Sequence, residues 1–541
     1  MPDNFLYYGD NLDILRRYVK DDSVDLVYLD PPFNSNATYN VLFAEQDGTR
    51  AAAQIKAFED TWQWDQSASE AYMAVIESGH RRVADAMIAF RTFLGDTDML
   101  AYLAMMAPRL IELWRVLRPT GSIYLHCDVT ASHYLKMLMD AVFGPENFRS
   151  DIVWQRTVSH GNAARSFPDV TDILLYYSKS DQFHYEMQYL PYSEEYLATK
   201  YRHVDSKGRQ YRLDNLRNPG VRPNLTYDYK GFKPHPNGWA ISLERMKELD
   251  AGGRLEFPKK PDGRIQLRRY LDEMPGVPVS NMWTDIRPIN SMAQERLGYP
   301  TQKPEALLER ILKTSSQQGD LVLDPFCGCG TAIATSQRLN RNWIGIDITH
   351  LAIGLIKHRL KTAFADVNVP LEYKVIGEPT TMDDARILAT DEPFQFQAWA
   401  LGLVGARTAS SAKKGADKGI DGRLYFHDDD SGKTKQIIFQ VKAGGNVTAA
   451  HVRDLRGVIE REKAAIGVLI VLDKISSPMK AEAASADFYD APGWGKFPRL
   501  QVVSVGELLK GATIKYPPTR ANVTLKKAGK AAVETDTGRL F

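Results

Sequence analysis

Disulfide chemistry, a membrane span and a strong net charge are all missing from this sequence. Three cysteines in 541 residues exclude a disulfide framework and suit a reducing cytoplasm. No apolar run is long enough to span a bilayer, and Met1-Pro2-Asp3-Asn4 lacks the basic, apolar character of a signal sequence, so a cytoplasmic location without membrane contact is expected. A formal net charge of +1 neither requires nor excludes a nucleic-acid partner, because a basic face can be balanced by other surfaces. No internal repeat is visible. What remains is ordinary for globular protein: 44% hydrophobic and 25% charged residues can bury a core, and the length asks for two or three domains.

Against that plain background two short stretches stand out. Leu321-Val322-Leu323 reads as a buried parallel strand, ending in the turn Asp324-Pro325-Phe326-Cys327-Gly328-Cys329-Gly330-Thr331 and opening a helix from Ala332 to Leu339. Gly328 and Gly330 let backbone approach a ligand closely. A second apolar run, Trp343 to Ile346, delivers Asp347 at its C-terminal end, where a ribose diol is usually gripped. This is a cradle for a nucleotide-like ligand, although its Gly-x-Gly is shorter than the dinucleotide fingerprint. Far upstream, the strand-like Val24 to Leu29 runs directly into Asp30-Pro31-Pro32-Phe33.

Together these motifs resemble the amino-methylating DNA methyltransferases of the beta group, including type III modification subunits, in which the catalytic motif precedes the cofactor motif. The resemblance implies a doubly wound, Rossmann-like α/β fold over residues 1–366 and S-adenosylmethionine as cofactor. It makes Asp30, Pro31, Pro32 and Phe33 the catalytic motif, and Asp324, Pro325, Phe326, Gly328, Gly330, Thr331 and Asp347 cofactor-binding residues. It also assigns Asp10 to the cofactor's adenine amino group, and Thr301, Gln302 and Lys303 to its methionine portion. By themselves these residues allow plainer roles: Asp10, Asn11 or Thr301 as helix caps, and Lys303 as a solvated side chain. The leading Asp of the catalytic motif implies adenine N6 as the target, since relatives acting on cytosine N4 more often carry Ser there. Cytosine C5 chemistry would need a Pro-Cys pair that is absent, so Cys327 and Cys329 are turn residues whose thiols could still be open to alkylation.

Between the motifs, residues 156–292 break the helix and strand alternation. Basic residues interleave there with aromatics, among them Lys200, Arg202, Lys207, Arg209, Arg212, Arg217, Arg222, Lys230, Arg264, Arg268 and Arg269. Such a mix suits phosphate and base contacts, and the resemblance implies a target-recognition insertion at this place. Trp62 and Trp64 are expected to pack against a neighbouring helix rather than touch DNA. His126, Cys127 and Asp128 lack the second ligand pair a zinc site needs.

Beyond Gly377 a new domain, residues 380–516, is expected. Gly419-Ile420-Asp421 and Gln440-Val441-Lys442 resemble the Mrr-type branch of the restriction-endonuclease-like fold. The resemblance implies magnesium on Asp421 and the Val441 carbonyl, with Lys442 beside the attacked phosphate and Asp417 as a spare carboxylate. Gln395 and Gln397 stand where relatives often carry a glutamate, which puts cutting in question. Residues 517–541 read as a loosely ordered tail. The expected partner is double-stranded DNA, with a homodimer or restriction and defence subunits left open. Cytosine N4 methylation, a nuclease-led defence protein, and a non-catalytic DNA-binding scaffold are the competing readings.

Overall fold

Two strands that lie far apart in sequence become neighbours in the fold. The computed structural model describes residues 4–32, 64–158, 167–260, 263–290, 293, 295–297, 299, 301–364, 372–409, 419–428 and 434–517. Its large sheet contains β1 (Phe5–Tyr8), β2 (Val24–Leu29), β3 (Leu117–Cys127), β4 (Phe148–Gln155), β5 (Thr171–Ser178), β6 (Met282–Trp283), β7 (Leu321–Asp324), β8 (Asn342–Asp347) and β9 (Lys374–Ile376). The order across the sheet is β6-β4-β5-β3-β2-β7-β8-β1-β9. β2 and β7 pair in parallel, Leu26 opposite Val322 and Val27 opposite Leu323, so both strands end at the same rim. β5 runs antiparallel to both of its neighbours, which departs from an all-parallel sheet. Such a strand is a common feature of large doubly wound sheets.

Burial explains why the central strands read as continuous apolar runs. Leu26, Val27 and Leu29 are fully buried, with Leu323 and Ile346 in the same core, because helices cover both faces. The covering helices used below are α1 (Asn11–Tyr18), α2 (Asp98–Val116), α3 (Glu305–Ser315), α4 (Thr331–Arg338) and α5 (His350–Ala363). α2 buries Leu103, Met106, Leu110 and Leu113 against this core, at the helical spacing of an inward face. Trp64 packs edge-on to Tyr72 with Arg91 over its ring, as expected of a packed aromatic; Trp62 lies outside the described residues.

Residues Met187–Ser280 form a separate compact unit. The expected insertion began at 156 and ended at 292, but β5 and β6 belong to the large sheet, so the separate unit is shorter. It holds a four-stranded antiparallel sheet, in the order His203–Val204, Gln210–Asn215, Gln266–Tyr270 and Leu255–Glu256, over a core of Leu216, Trp239, Met246 and Ile265. Several of its arginines are used internally: Arg209 pairs with Asp272 and Glu273, Arg269 with Asp214, and Arg268 with Glu256. Lys200, Arg202, Lys207, Arg217, Arg222 and Arg264 remain exposed.

The C-terminal residues build a second sheet from β10 (Arg407–Thr408), β11 (Gly422–Phe426), β12 (Lys435–Lys442), β13 (Ile466–Val471) and β14 (Leu500–Ser504), in that order. The helices α6 (Pro393–Leu403) and α7 (Ala449–Arg461) accompany it. Phe396, Trp399, Ile437, Phe439, Val468 and Ile470 share one core. No helix among the described residues is long and apolar enough to cross a membrane.

Candidate active site

Asp30 follows the last residue of β2 and Asp324 is the last residue of β7, so the pairing of these strands sets the two motifs side by side. Between Asp324 and α4 the chain turns on Gly328 and Gly330, both with positive φ (+47° and +72°). A Cβ on Gly330 would stand 2.7 Å from Ile356 Cγ1, and one on Gly328 would stand 3.2 Å from the Tyr299 hydroxyl, so the loop needs both glycines. Its shape is held by backbone bonds: Cys327 N donates to Ile346 O at 3.0 Å and Gly330 N to Cys327 O at 2.7 Å.

Asp347, at the end of β8, secures the same loop. Its Oδ2 accepts from Gly328 N at 2.9 Å, and its Oδ1 accepts from the Thr349 amide and hydroxyl at 2.9 and 2.8 Å. The Ile348 amide also donates to this carboxylate, so Asp347 is held by the loop it secures. Burial pushes the Asp347 carboxyl up to about 6, against the hydrogen bonds that lower it. Asp324 is also raised, first by burial and then by facing Asp30 and Asp347, while the Phe326 amide donates to its Oδ1 at 3.1 Å.

The segment before α3 closes the site from the other side. Lys303 Nζ donates to Asp30 Oδ2 at 2.5 Å, with the lysine side chain 11% and the aspartate 18% exposed, so Lys303 is not the solvated side chain of the plainer reading. Gln302 serves its own loop, donating to Glu295 O at 2.6 Å and accepting from Leu297 N at 2.8 Å. Thr301 is half-buried, and Pro304 rather than Thr301 is the N-cap of α3, where the Glu305 amide donates to Glu295 Oε2 at 2.9 Å. Thr331 accepts from Arg359 Nη1 at 3.1 Å, and the same guanidinium reaches Glu305 at 2.7 Å. Arg359 therefore ties the glycine loop to the start of α3.

Asp10 caps α1, accepting from Leu12 N at 2.8 Å, and binds Arg109 at 2.7 Å. Its neighbour Asn11 is buried and donates to the Pro325 carbonyl at 2.8 Å, tying α1 to the glycine loop. Pro31 is buried and Pro32 half-buried beyond Asp30; Phe33 lies outside the described residues. Both loop cysteines are buried with their thiols pushed up by that burial, which disfavours the thiolate form that alkylation needs.

Sequence reasoning missed several groups. Tyr299, half-buried, has its hydroxyl against Gly328 and faces both Asp347 and Asp30. His126 does not stand in a ligand cluster: its Nδ1 meets the Tyr28 hydroxyl at 3.1 Å and its Nε2 meets Asp172 at 3.0 Å, forming a buried polar chain behind Asp30. Nothing local in the sequence joins β3 to β5, so this chain was invisible there. Arg109 and Arg359 are further long-range anchors with the same difficulty.

In the C-terminal domain, Asp421 is 8% exposed and its Oδ2 accepts from Val441 N at 2.7 Å. Gln440 Nε2 donates to Gly419 O at 2.6 Å, and Lys442 is half-buried at the end of β12. The two glutamines of α6 part company. Gln397 donates to the Asp421 carbonyl at 3.4 Å, whereas Gln395 accepts from the His350 amide at 3.2 Å, at the first residue of α5. Asp417 lies outside the described residues. Among the described residues no group of three or more His, Cys, Asp or Glu is placed to hold a metal ion.

The chain is similar to the type II methyltransferase M.EcaI of Enterobacter cloacae, 28% identical over 361 residues, covering 66% of this chain and 69% of that one. It is 27% identical over 360 residues to the Mod subunit of the type III restriction-modification enzyme StyLTI of Salmonella typhimurium, covering 62% of this chain and 50% of that protein's length. Among solved structures it is similar to a DNA modification methylase of Thermus thermophilus complexed with S-adenosyl-L-methionine, at 15% identity and a TM-score of 0.34, covering 70% of this chain and 100% of that one. A restriction endonuclease family model matches residues 391–488. The DNA methylase family model matches residues 24–358, from the strand that leads into Asp30 to the helix that follows Asp347, and the chain belongs to that family.

Proposed function

We propose that this chain transfers a methyl group from S-adenosylmethionine to the N6 amino group of adenine in double-stranded DNA, in restriction-modification or phage defence. The observation that carries the proposal is the shared rim: Asp30 and the glycine loop end adjacent parallel strands, with Lys303 and Tyr299 between them.

The residues fit that cofactor. Asp347 stands at the end of β8, where a ribose hydroxyl would be met, Gly328 and Gly330 leave room where side chains would intrude, and Lys303 offers its ammonium to the carboxylate of the amino-acid portion. When bound, the cofactor supplies an electrophilic methyl group on a sulfonium. The chain must do the rest. An adenine amino group is a poor nucleophile, because its lone pair is delocalised into the ring, and within a duplex it is stacked and paired. It must be everted, at a cost of a few kcal/mol. Asp30 then accepts one N6 hydrogen and the Pro31 carbonyl accepts the other, which steers electron density onto nitrogen. As nitrogen gains the methyl group it loses one proton, which leaves through Asp30 to solvent. Proline at 31 and 32 removes backbone donors that would compete for those acceptors. Phe33 supplies a stacking face for the base.

The Met187–Ser280 unit is assigned target recognition, through the exposed Lys200, Arg202, Lys207, Arg217, Arg222 and Arg264. The C-terminal domain is assigned a nuclease role that would depend on magnesium: Asp421 and the Val441 carbonyl would hold the ion, with Lys442 beside the attacked phosphate, although this site carries less negative charge than such an ion usually draws on.

Methylation-sensitive long-read sequencing of DNA from cells expressing the chain tests the first reading. N6-methyladenine in one sequence context, absent with Asp30→Ala, supports it. N4-methylcytosine in its place overturns the adenine assignment, and no modification overturns the proposal.

A further inference from the structure

Lys303 joins the two halves of the site. Its ammonium meets Asp30 in a largely buried pair and also faces Asp324, Asp172 and the Cys329 thiol, so it reaches across the rim from the catalytic motif to the glycine loop. A paired Asp30 is poorly suited to its task. Positive charge develops on the amino nitrogen during methyl transfer, and a lysine on the same carboxylate cancels the charge meant to stabilise it.

Resting on the proposed cofactor, we infer that Lys303 has two alternative anionic partners: Asp30, and the carboxylate of the amino-acid portion of S-adenosylmethionine. That cofactor carries two positive groups and one carboxylate. The acids of the rim suit the former, and Lys303 suits the latter. Transfer of Lys303 from Asp30 to the cofactor carboxylate frees Asp30 Oδ2 for the amino hydrogen of the target base. Lys303 is thus a positioning residue that orders assembly, cofactor first and everted base second. By the reciprocity of linked equilibria, a change at Asp30 that weakens the pair and leaves Lys303 in place must tighten the cofactor.

Calorimetric titration of the full chain tests this with two probes: S-adenosylmethionine, and 5′-methylthioadenosine, which has the nucleoside but no amino-acid carboxylate. Asp30→Asn is expected to tighten S-adenosylmethionine about 5-fold or more and leave methylthioadenosine unchanged. Lys303→Gln is expected to weaken S-adenosylmethionine alone and to abolish the gain from Asp30→Asn when the two are combined, with Lys303→Arg restoring part of the affinity. Unchanged methylthioadenosine binding certifies that each variant has a folded nucleoside site. If Asp30→Asn leaves S-adenosylmethionine affinity unaltered, or shifts both probes together, the exchange is wrong while the cofactor reading stands. If the wild-type chain binds neither probe, the cofactor reading falls and takes the exchange with it.

Discussion

At the rim of the large sheet Asp30 meets a lysine at 2.5 Å and shares its edge with Asp324 and Asp347, whereas in the C-terminal domain Asp421 Oδ2 takes the Val441 amide at 2.7 Å and two glutamines stand nearby. Gln440 and Gln397 both turn their amide nitrogens onto backbone carbonyls, of Gly419 and Asp421. The first region gathers more acidic groups than its own backbone uses, and the surplus appears as carboxyls raised by burial and by one another. In the second, polar side chains mainly brace the ends of β11 and β12. The contrast teaches that matching a catalytic motif and having free ligand capacity are separate properties. A site can keep the Asp and Lys of a nuclease while lacking the negative charge that draws in a divalent ion.

The sharpest way to break this comparison is to remove one aspartate from each region. Asp30→Ala is expected to lower methyl transfer by on the order of 10²- to 10³-fold or more, read with tritiated cofactor, while Asp421→Ala leaves it unchanged. Equal losses would mean that the regions do not act separately. The contrast is sharpened in the other direction by adding charge. Gln397→Glu places a carboxylate beside the Asp421 strand and is expected to strengthen manganese binding by about 10-fold and to raise metal-dependent cutting of unmethylated DNA, with Asp421→Ala abolishing both. An unaltered manganese titration would remove Gln397 from the explanation.

A backbone change comes next in size. Gly330→Ala puts a Cβ in a left-handed conformation against Ile356 and is expected to cost about 1–3 kcal/mol in chemical denaturation, with weaker cofactor binding. The smallest effect is a pH dependence. Since the Asp347 carboxyl is raised to about 6, it is ionised above that pH and protonated below it. Protonation converts an acceptor oxygen into a donor, so cofactor affinity is expected to fall as pH drops through about 6, a fall that Asp347→Asn removes.

Much of this was legible in the sequence because it is local. The glycine turn and its flanking apolar runs mark β7, α4 and β8 without any long-range information. The adjacency of Asp30 and the glycine loop was legible only through resemblance, since no spacing rule says that β2 pairs with β7. What stayed hidden depends on pairings across the sheet. His126 reads as a stray ligand until β5 brings Asp172 to it, and Gln395 and Gln397 read as equivalents until α6 turns one towards α5 and the other towards β11. The ion pairs of the basic insertion were hidden for the same reason, because composition does not show that Arg209, Arg268 and Arg269 are matched by acids.

A crystal structure of the chain with S-adenosylmethionine tests the shared rim most directly. The cofactor is expected with its ribose at Asp347, its amino-acid end at Lys303 and its methyl group opening towards Asp30. Electron density for the ligand anywhere else, or a methyl group with protein wall between it and Asp30, would contradict the common cleft on which the assignment of both motifs depends.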